Sequence, residues 1–292
     1  MNITVESIGR MRETLLEFHE RVGRFNEDNH GIPTQGSQAS MEQAGYPRPQ
    51  SIVSARTMGD MLIEYGGEHL TAFVKTITEP VEVIACWTCV RSMLESCALS
   101  AWLLEPAIDA HTRVGRVFAL RYEGMEQQLT FARTTGRSAA EIASLEARIA
   151  EVDRDALALG FAPVLNRKNV RIGIGQRLPG ATEIITSMLD EEAIYRMLSA
   201  VAHGHQWAIS QLSYQAVGDT LDIAGGFAKT LEKTANLDGL ALLGVTALKA
   251  FARPLCRQCR YYGWPLLRLE EILEDTADAI NMATPTRFWR DR

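Results

Sequence analysis

The chain lacks an unbroken run of the roughly 20 apolar residues a helix needs to cross a bilayer. Its most apolar segment, residues 81–104, is interrupted by Glu82, Arg91 and Glu95. A secretion signal is missing too, because the N-terminus MNITVESIGRMRETLLEF reads as an amphipathic helix without an apolar stretch. Both absences make a cytoplasmic location, away from membranes, the expectation. There is no excess of positive charge either. A net charge of −6 excludes a general nucleic-acid coat, while leaving room for a local basic site. Cysteine is sparse and odd in number: Cys86, Cys89, Cys97, Cys256 and Cys259 do not make a disulfide framework. What is present is enough for a sizeable core. Apolar residues are 46% of 292 and charged residues 23%, which excludes global disorder.

Common catalytic signatures are missing as well. Gly173-Ile-Gly175 followed by Gly180 lacks the spacing of a dinucleotide fingerprint. There is no P-loop and no G-x-S-x-G elbow. The pairs Cys86/Cys89 and Cys256/Cys259 are much further apart than in compact zinc modules. The first pair lies in an apolar helix, where cysteine packs as a small core residue. His203-Gly-His205 has no third ligand close in sequence. Neither a metal nor a cofactor is expected.

Strand-like alternation is scarce, and the dominant period is helical. Ile8, Met11, Leu15, Leu16 and Phe18 mark a first helix over 5–23. Residues 24–56, rich in Gly, Pro, Gln, Ser and Asn, read as a long flexible loop. Thr57 and Asp60 look like a cap and its third-position carboxylate, opening a helix to about residue 77. Pro80 suits the start of the next helix, which ends before Pro106. A helix over 109–133 follows, and then one over 138–159 with a Ser138/Glu141 capping box. Ile142, Leu145, Ile149 and Val152 give the latter a narrow apolar seam. Residues 163–180 and 217–236 have no clear pattern, and helices are expected over 182–189, 191–215 (bent at Gly204), 238–252 and 265–283. The fold class is therefore all-α: an antiparallel helical bundle with additional N- and C-terminal helices. The expected division is 1–56, a helix and flexible loop; 57–216, the bundle; and 217–292, a C-terminal extension packed on it.

The stretch YRMLSAVAHGHQWAI, residues 195–209, is mostly apolar but carries Arg196, Ser199 and His203 at steps of three and four. At about 100° per residue these share one face, with Arg196 and His203 roughly 10 Å apart along the axis. Arginine can bind a phosphate through two parallel hydrogen bonds, and histidine exchanges protons near neutral pH. Together they are a minimal kit for cleaving RNA without metal. The same spacing fits a buried network in which both side chains are structural. Arg91 and Glu95, four apart, pair with each other or join Arg196 and His203 in one network, with Glu95 orienting one of the two. Arg113 and Arg116, with His111 and Arg121 nearby, make a basic face. With Arg167, Lys168 and Arg171 they form a candidate phosphate-contacting rim, or else a solvated face.

The segment Arg196-Met-Leu-Ser-Ala-Val-Ala-His203 resembles the R-x4–6-H motif of the HEPN superfamily (higher eukaryotes and prokaryotes nucleotide-binding). Arg91-Ser-Met-Leu-Glu95 looks like the R-x-x-x-E pattern of uncharacterised bacterial HEPN-like proteins, so the resemblance covers about residues 60–215. It departs from active members at Met197, where a polar residue is usual. The resemblance implies a metal-independent endoribonuclease of a toxin–antitoxin or other defence system. Its catalytic residues would be Arg196 and His203, supported by Ser199, Arg91 and Glu95. It also implies a homodimer whose site forms where two motifs meet, with RNA and an antitoxin or other protein as partners. Two alternatives stand beside it. One is a non-catalytic binding or assembly protein with a structural Arg–His network. The other is a small-molecule enzyme with a pocket between helices, lined by Arg91, Glu95 and His203.

Overall fold

In the first helix, α1 (Val5–Asp28), Ile8, Met11, Leu15, Phe18, Val22 and Phe25 recur at steps of three and four and are all buried. Thr4 caps it by accepting the Ser7 amide at 3.1 Å. The computed structural model describes residues 3–223 and 226–284. The apolar stripe continues past residue 23, and so does the helix. The expected loop over 24–56 instead holds the end of α1, then α2 (Gln38–Gly45) and the start of α3 (Pro49–Thr76), with Pro49 at its first turn. Thr57 and Asp60 lie inside α3, and Asp60 turns inward to accept hydrogen bonds from Gln258 and Tyr262 at 2.8 Å.

The centre of the fold is α4 (Ala85–Leu103), where Cys86, Trp87, Val90, Met93, Leu94, Cys97 and Ala98 are all buried. Helix α3 lies very close to it. A Cβ on Gly59 would fall 2.6 Å from Leu104, and one on Gly66 2.8 Å from the Cys97 sulfur. Next come α5 (Ala110–Thr134), capped by Asp109, and α6 (Ala139–Ala158), whose Ser138/Glu141 capping box forms. Only Val152 and Ala156 of α6 are fully buried, so the expected seam at Ile142, Leu145 and Ile149 is only half-covered.

The segment 163–180 folds into a small antiparallel sheet of β1 (Pro163–Leu165), β2 (Arg171–Ile174) and β3 (Gln176–Arg177), with β2 in the middle. Helices α7 (Ala181–Leu189), α8 (Glu192–Ala202) and α9 (Gln206–Ser213) follow. The expected single bent helix is broken outright at Gly204, where φ is +71°. A two-stranded ribbon, β4 (Tyr214–Ile223) with β5 (Gly226–Lys233), stands where no pattern was legible. Helix α10 (Leu237–Tyr262) continues past Pro254 and ends on Gly263, and α11 (Leu266–Ala283) packs against α1. By length and composition α10 could cross a membrane, but 72% of its most apolar window is buried inside the fold.

One hydrophobic core joins α1, α3, α4, α7, α8, α10 and α11. The expected boundaries at 56/57 and 216/217 fall inside α3 and β4. Of the expected C-terminal extension, residues 224–225 and 285–292 lie outside the described residues. Among the described residues eleven helices and five short strands form, and the class is all-α.

Candidate functional site

Helix α8 is two-faced. Ile194, Tyr195, Leu198 and Val201 are buried and hold it on α4 and α7. Arg196 and His203 are exposed on the other side, with Ser199 half-buried between them. The Arg196 side chain is 66% exposed, and its Nε donates to Glu192 Oε1 at 2.8 Å, one turn back. Glu192 also accepts from the Thr186 hydroxyl at 3.2 Å. The hydrogen bonds from Arg196 and Thr186 hold its carboxyl below the usual carboxylate range. The polar line thus faces solvent. The buried Arg–His network that the spacing also allowed does not form, because the apolar residues on the other side of α8 turn this face outward.

His203 ends α8, its amide donating to the Ser199 carbonyl at 2.9 Å. Gly204 then turns the chain, and the His205 amide donates to the Ala200 carbonyl at 2.9 Å. Both imidazoles are exposed, their ring centres 6.4 Å apart and their planes at 77°.

A second polar group sits beside this line. Arg91 Nη2 and Glu95 Oε1 pair at 3.0 Å. The Tyr195 hydroxyl donates to Glu95 Oε1 at 2.7 Å, and the Arg91 guanidinium lies 5.8 Å over the Tyr195 ring. Burial first, then the contact with Glu95, pushes the Tyr195 phenol above its ordinary value, while hydrogen bonds from Arg91 and Ser199 oppose this. Glu95 was expected to orient Arg196 or His203. It holds Tyr195 instead. No family model, curated protein or solved structure matches the chain.

The expected basic rim does not assemble. Arg113 is fully buried; it donates to Glu42 at 2.9 Å and to the carbonyls of Leu103 and Glu105, and lies 3.8 Å over the Tyr261 ring. Arg116 bonds the Trp102 carbonyl and Glu105 and lies 4.8 Å over the Trp102 ring. Both guanidiniums satisfy orphan carbonyls at the end of α4 and are not available to phosphate. Arg171 is tied to Asp153 and lies 4.3 Å over Tyr122, fastening the small sheet to α5 and α6. Arg167 and Lys168 are exposed at the β1–β2 turn. His111 stacks on Phe161 with centres 4.2 Å apart.

A groove of about 380 Å³ lies between the start of α3 and α5, lined by Arg48, Val114, Phe118, Arg121 and Asp155 among others. Arg91, Glu95 and His203 do not line it, so it is not the pocket that the small-molecule reading required. The C-x-x-C pairs are kept apart by helix direction. Gly239 backs onto Trp87 while Arg257 bonds the Ala101 carbonyl, so α10 runs parallel to α4. One cysteine pair lies near each end of that contact, about 20 Å apart at 1.5 Å per residue.

Two residues of the site escaped the sequence reading. Glu192, four before Arg196, was visible as a helical ion pair. Tyr195 gave no signal, because a tyrosine in an apolar run reads as core.

Proposed function

We propose that this chain is a HEPN-like, metal-independent endoribonuclease of a defence or toxin-type system, working as a cytoplasmic homodimer through Arg196 and His203. The observation that carries the reading is that Arg196 is exposed on the outer face of α8, whose other face is anchored in the core, and His203 is exposed at its C-cap about two turns along. A catalytic arginine must be able to change partners. The Arg196–Glu192 pair is an exposed helical contact, screened by solvent and weak. A phosphate offering two parallel charged hydrogen bonds outcompetes it.

In the proposed reaction the ribose 2′-oxygen attacks phosphorus and the bond to the 5′-oxygen breaks. The products are a 2′,3′-cyclic phosphate and a free 5′-hydroxyl. Arg196 stabilises charge on the phosphoryl oxygens, and His203 carries one of the two protons that move. Trp207, 55% exposed at the start of α9, is a suitable apolar anchor for the second copy. RNA is the proposed substrate, and an antitoxin protein the proposed regulator.

The test is RNA cleavage in EDTA. The full chain is expected to leave cyclic-phosphate ends, with Arg196→Ala and His203→Ala each slower by about 100-fold or more. Wild-type rates in both variants overturn the reading.

A further inference from the structure

We infer that the groove between α3 and α5 binds a small amphipathic monoanion, a carboxylate on an apolar body, with Arg121 holding the carboxylate. The groove has a volume of about 380 Å³, within the range of about 300–1,000 Å³ usual for small-ligand sites. A second recess of about 290 Å³ adjoins it and shares Gln50, Ser54 and Arg121 with it. None of the lining residues belongs to α8, so the inference stands apart from the proposed cleaving surface.

The groove lies where two apolar clusters meet. Val117 belongs to the core built around α4, while Val114 and Phe118 belong to a second cluster with Tyr122, Val152 and Phe161. On α5, Val114, Val117, Phe118 and Arg121 follow at steps of three, one and three, which puts them on one face. Val114, Val117 and Phe118 are at most 4% exposed and make an apolar floor. Arg121 stands at one end of it, roughly 10 Å from Val114 along the helix axis, comparable to an extended eight-carbon acid. Across the groove, Gln50, Ser54 and Thr57 of α3 recur at steps of four and three and bring amide and hydroxyl groups.

Charge selects the ligand. Among the described residues, the charged side chains lining the groove are Arg48, Asp155 and Arg121. Arg48 and Asp155 pair at 2.7 Å and cancel. Arg121 is exposed and makes no hydrogen bond or ion pair among the described residues. Its neighbours one turn away on α5, Val117, Phe118, Gly124 and Met125, carry no charge. One guanidinium is thus left unneutralised at the edge of an apolar floor. Its planar fork matches a carboxylate through two parallel hydrogen bonds. A phosphate monoester carries about −1.5 to −2 at pH 7 and would leave negative charge unbalanced beside Asp155. A neutral molecule leaves Arg121 without a partner. The apolar body lies over Val114, Val117 and Phe118 and is removed from water there.

Calorimetry on the full chain tests this with octanoate and two parts of its chemistry. Octanamide keeps the body and lacks the charge; acetate keeps the head and lacks the body. Octanoate is expected to bind at least about fivefold more tightly than either. Arg121→Gln, at an exposed and unpartnered position, loses about fivefold or more for octanoate and no longer distinguishes it from octanamide. Arg121→Lys, which keeps the charge without the fork, recovers part of that loss. Ser54→Trp fills the groove and weakens both ligands, its fold being checked by urea denaturation. Octyl phosphate binds more weakly than octanoate. The inference is overturned by no binding of octanoate at millimolar concentration, or by equal affinity for octanoate and octanamide in the wild type. Wild-type affinity for octanoate in Arg121→Gln, or in a folded Ser54→Trp, overturns it equally. Tighter binding of octyl phosphate than of octanoate overturns the head group assigned here.

Discussion

The arginines of this chain divide by what surrounds the guanidinium. Arg113 is fully buried against Glu42, and truncating it strands a carboxylate that is itself only 9% exposed. Arg113→Ala is expected to cost about 3–5 kcal/mol in urea denaturation. Arg196 is exposed, and Arg196→Ala should change stability by no more than about 0.5 kcal/mol. The pair of measurements separates an arginine that holds the fold from one that does not. Asp60 gives a pH signature of its own. Burial raises its carboxyl above the ordinary value despite hydrogen bonds from Tyr262 and Gln258. With the folded value above the unfolded one, the native state binds more protons between the two, and stability is lost as pH rises through that window. The stability of the wild type relative to Asp60→Asn should therefore grow as pH falls from 7 toward the ordinary carboxylate range. Little of this was legible in the sequence. The spacing of Arg113 and Arg116 put them on one side of a helix, but the Leu103 and Trp102 carbonyls and Glu42 that cover them come from other elements.

Among the elements, α3 and α4 approach closely along much of their length. Gly66 has no room for a methyl group beside Cys97 and Phe251. Gly66→Ala is expected to destabilise by about 1–3 kcal/mol through overpacking, measured as a shift in the urea midpoint. The sequence made elements legible where capping and periodicity agreed, as at Asp109 for α5 and at Ser138 with Glu141 for α6. It misled where one cue stood alone. Thr57 and Asp60 have the spacing of a cap, but α3 had already begun at Pro49, and Asp60 serves Tyr262 instead. The ribbon β4–β5 was hidden because its register shifts between Val217 and Leu221, which breaks the alternation that marks a strand. The helix expected over 238–252 runs on past Pro254, on the apolar stripe carrying Leu255, Cys259 and Tyr262.

For the whole molecule, the all-α class was legible from periodicity, while the division into segments was not. The apolar faces of α1, α10 and α11 look like separate extensions in sequence but close over the same core as α4. The candidate site was legible as a line of residue types on α8. Its exposure was not, since that depends on which face of α8 the core of α4 and α7 takes up. Exposure is what turns Arg196 and His203 from a structural network into a candidate cleaving surface. The account stands most directly on the rate of RNA cleavage in EDTA by the full chain, beside the Arg196→Ala/His203→Ala double variant of unchanged stability. It predicts 2′,3′-cyclic phosphate ends from the wild type and a rate at least about 100-fold lower from the double variant. Equal rates from the two proteins, or no cleavage by the wild type, would contradict it.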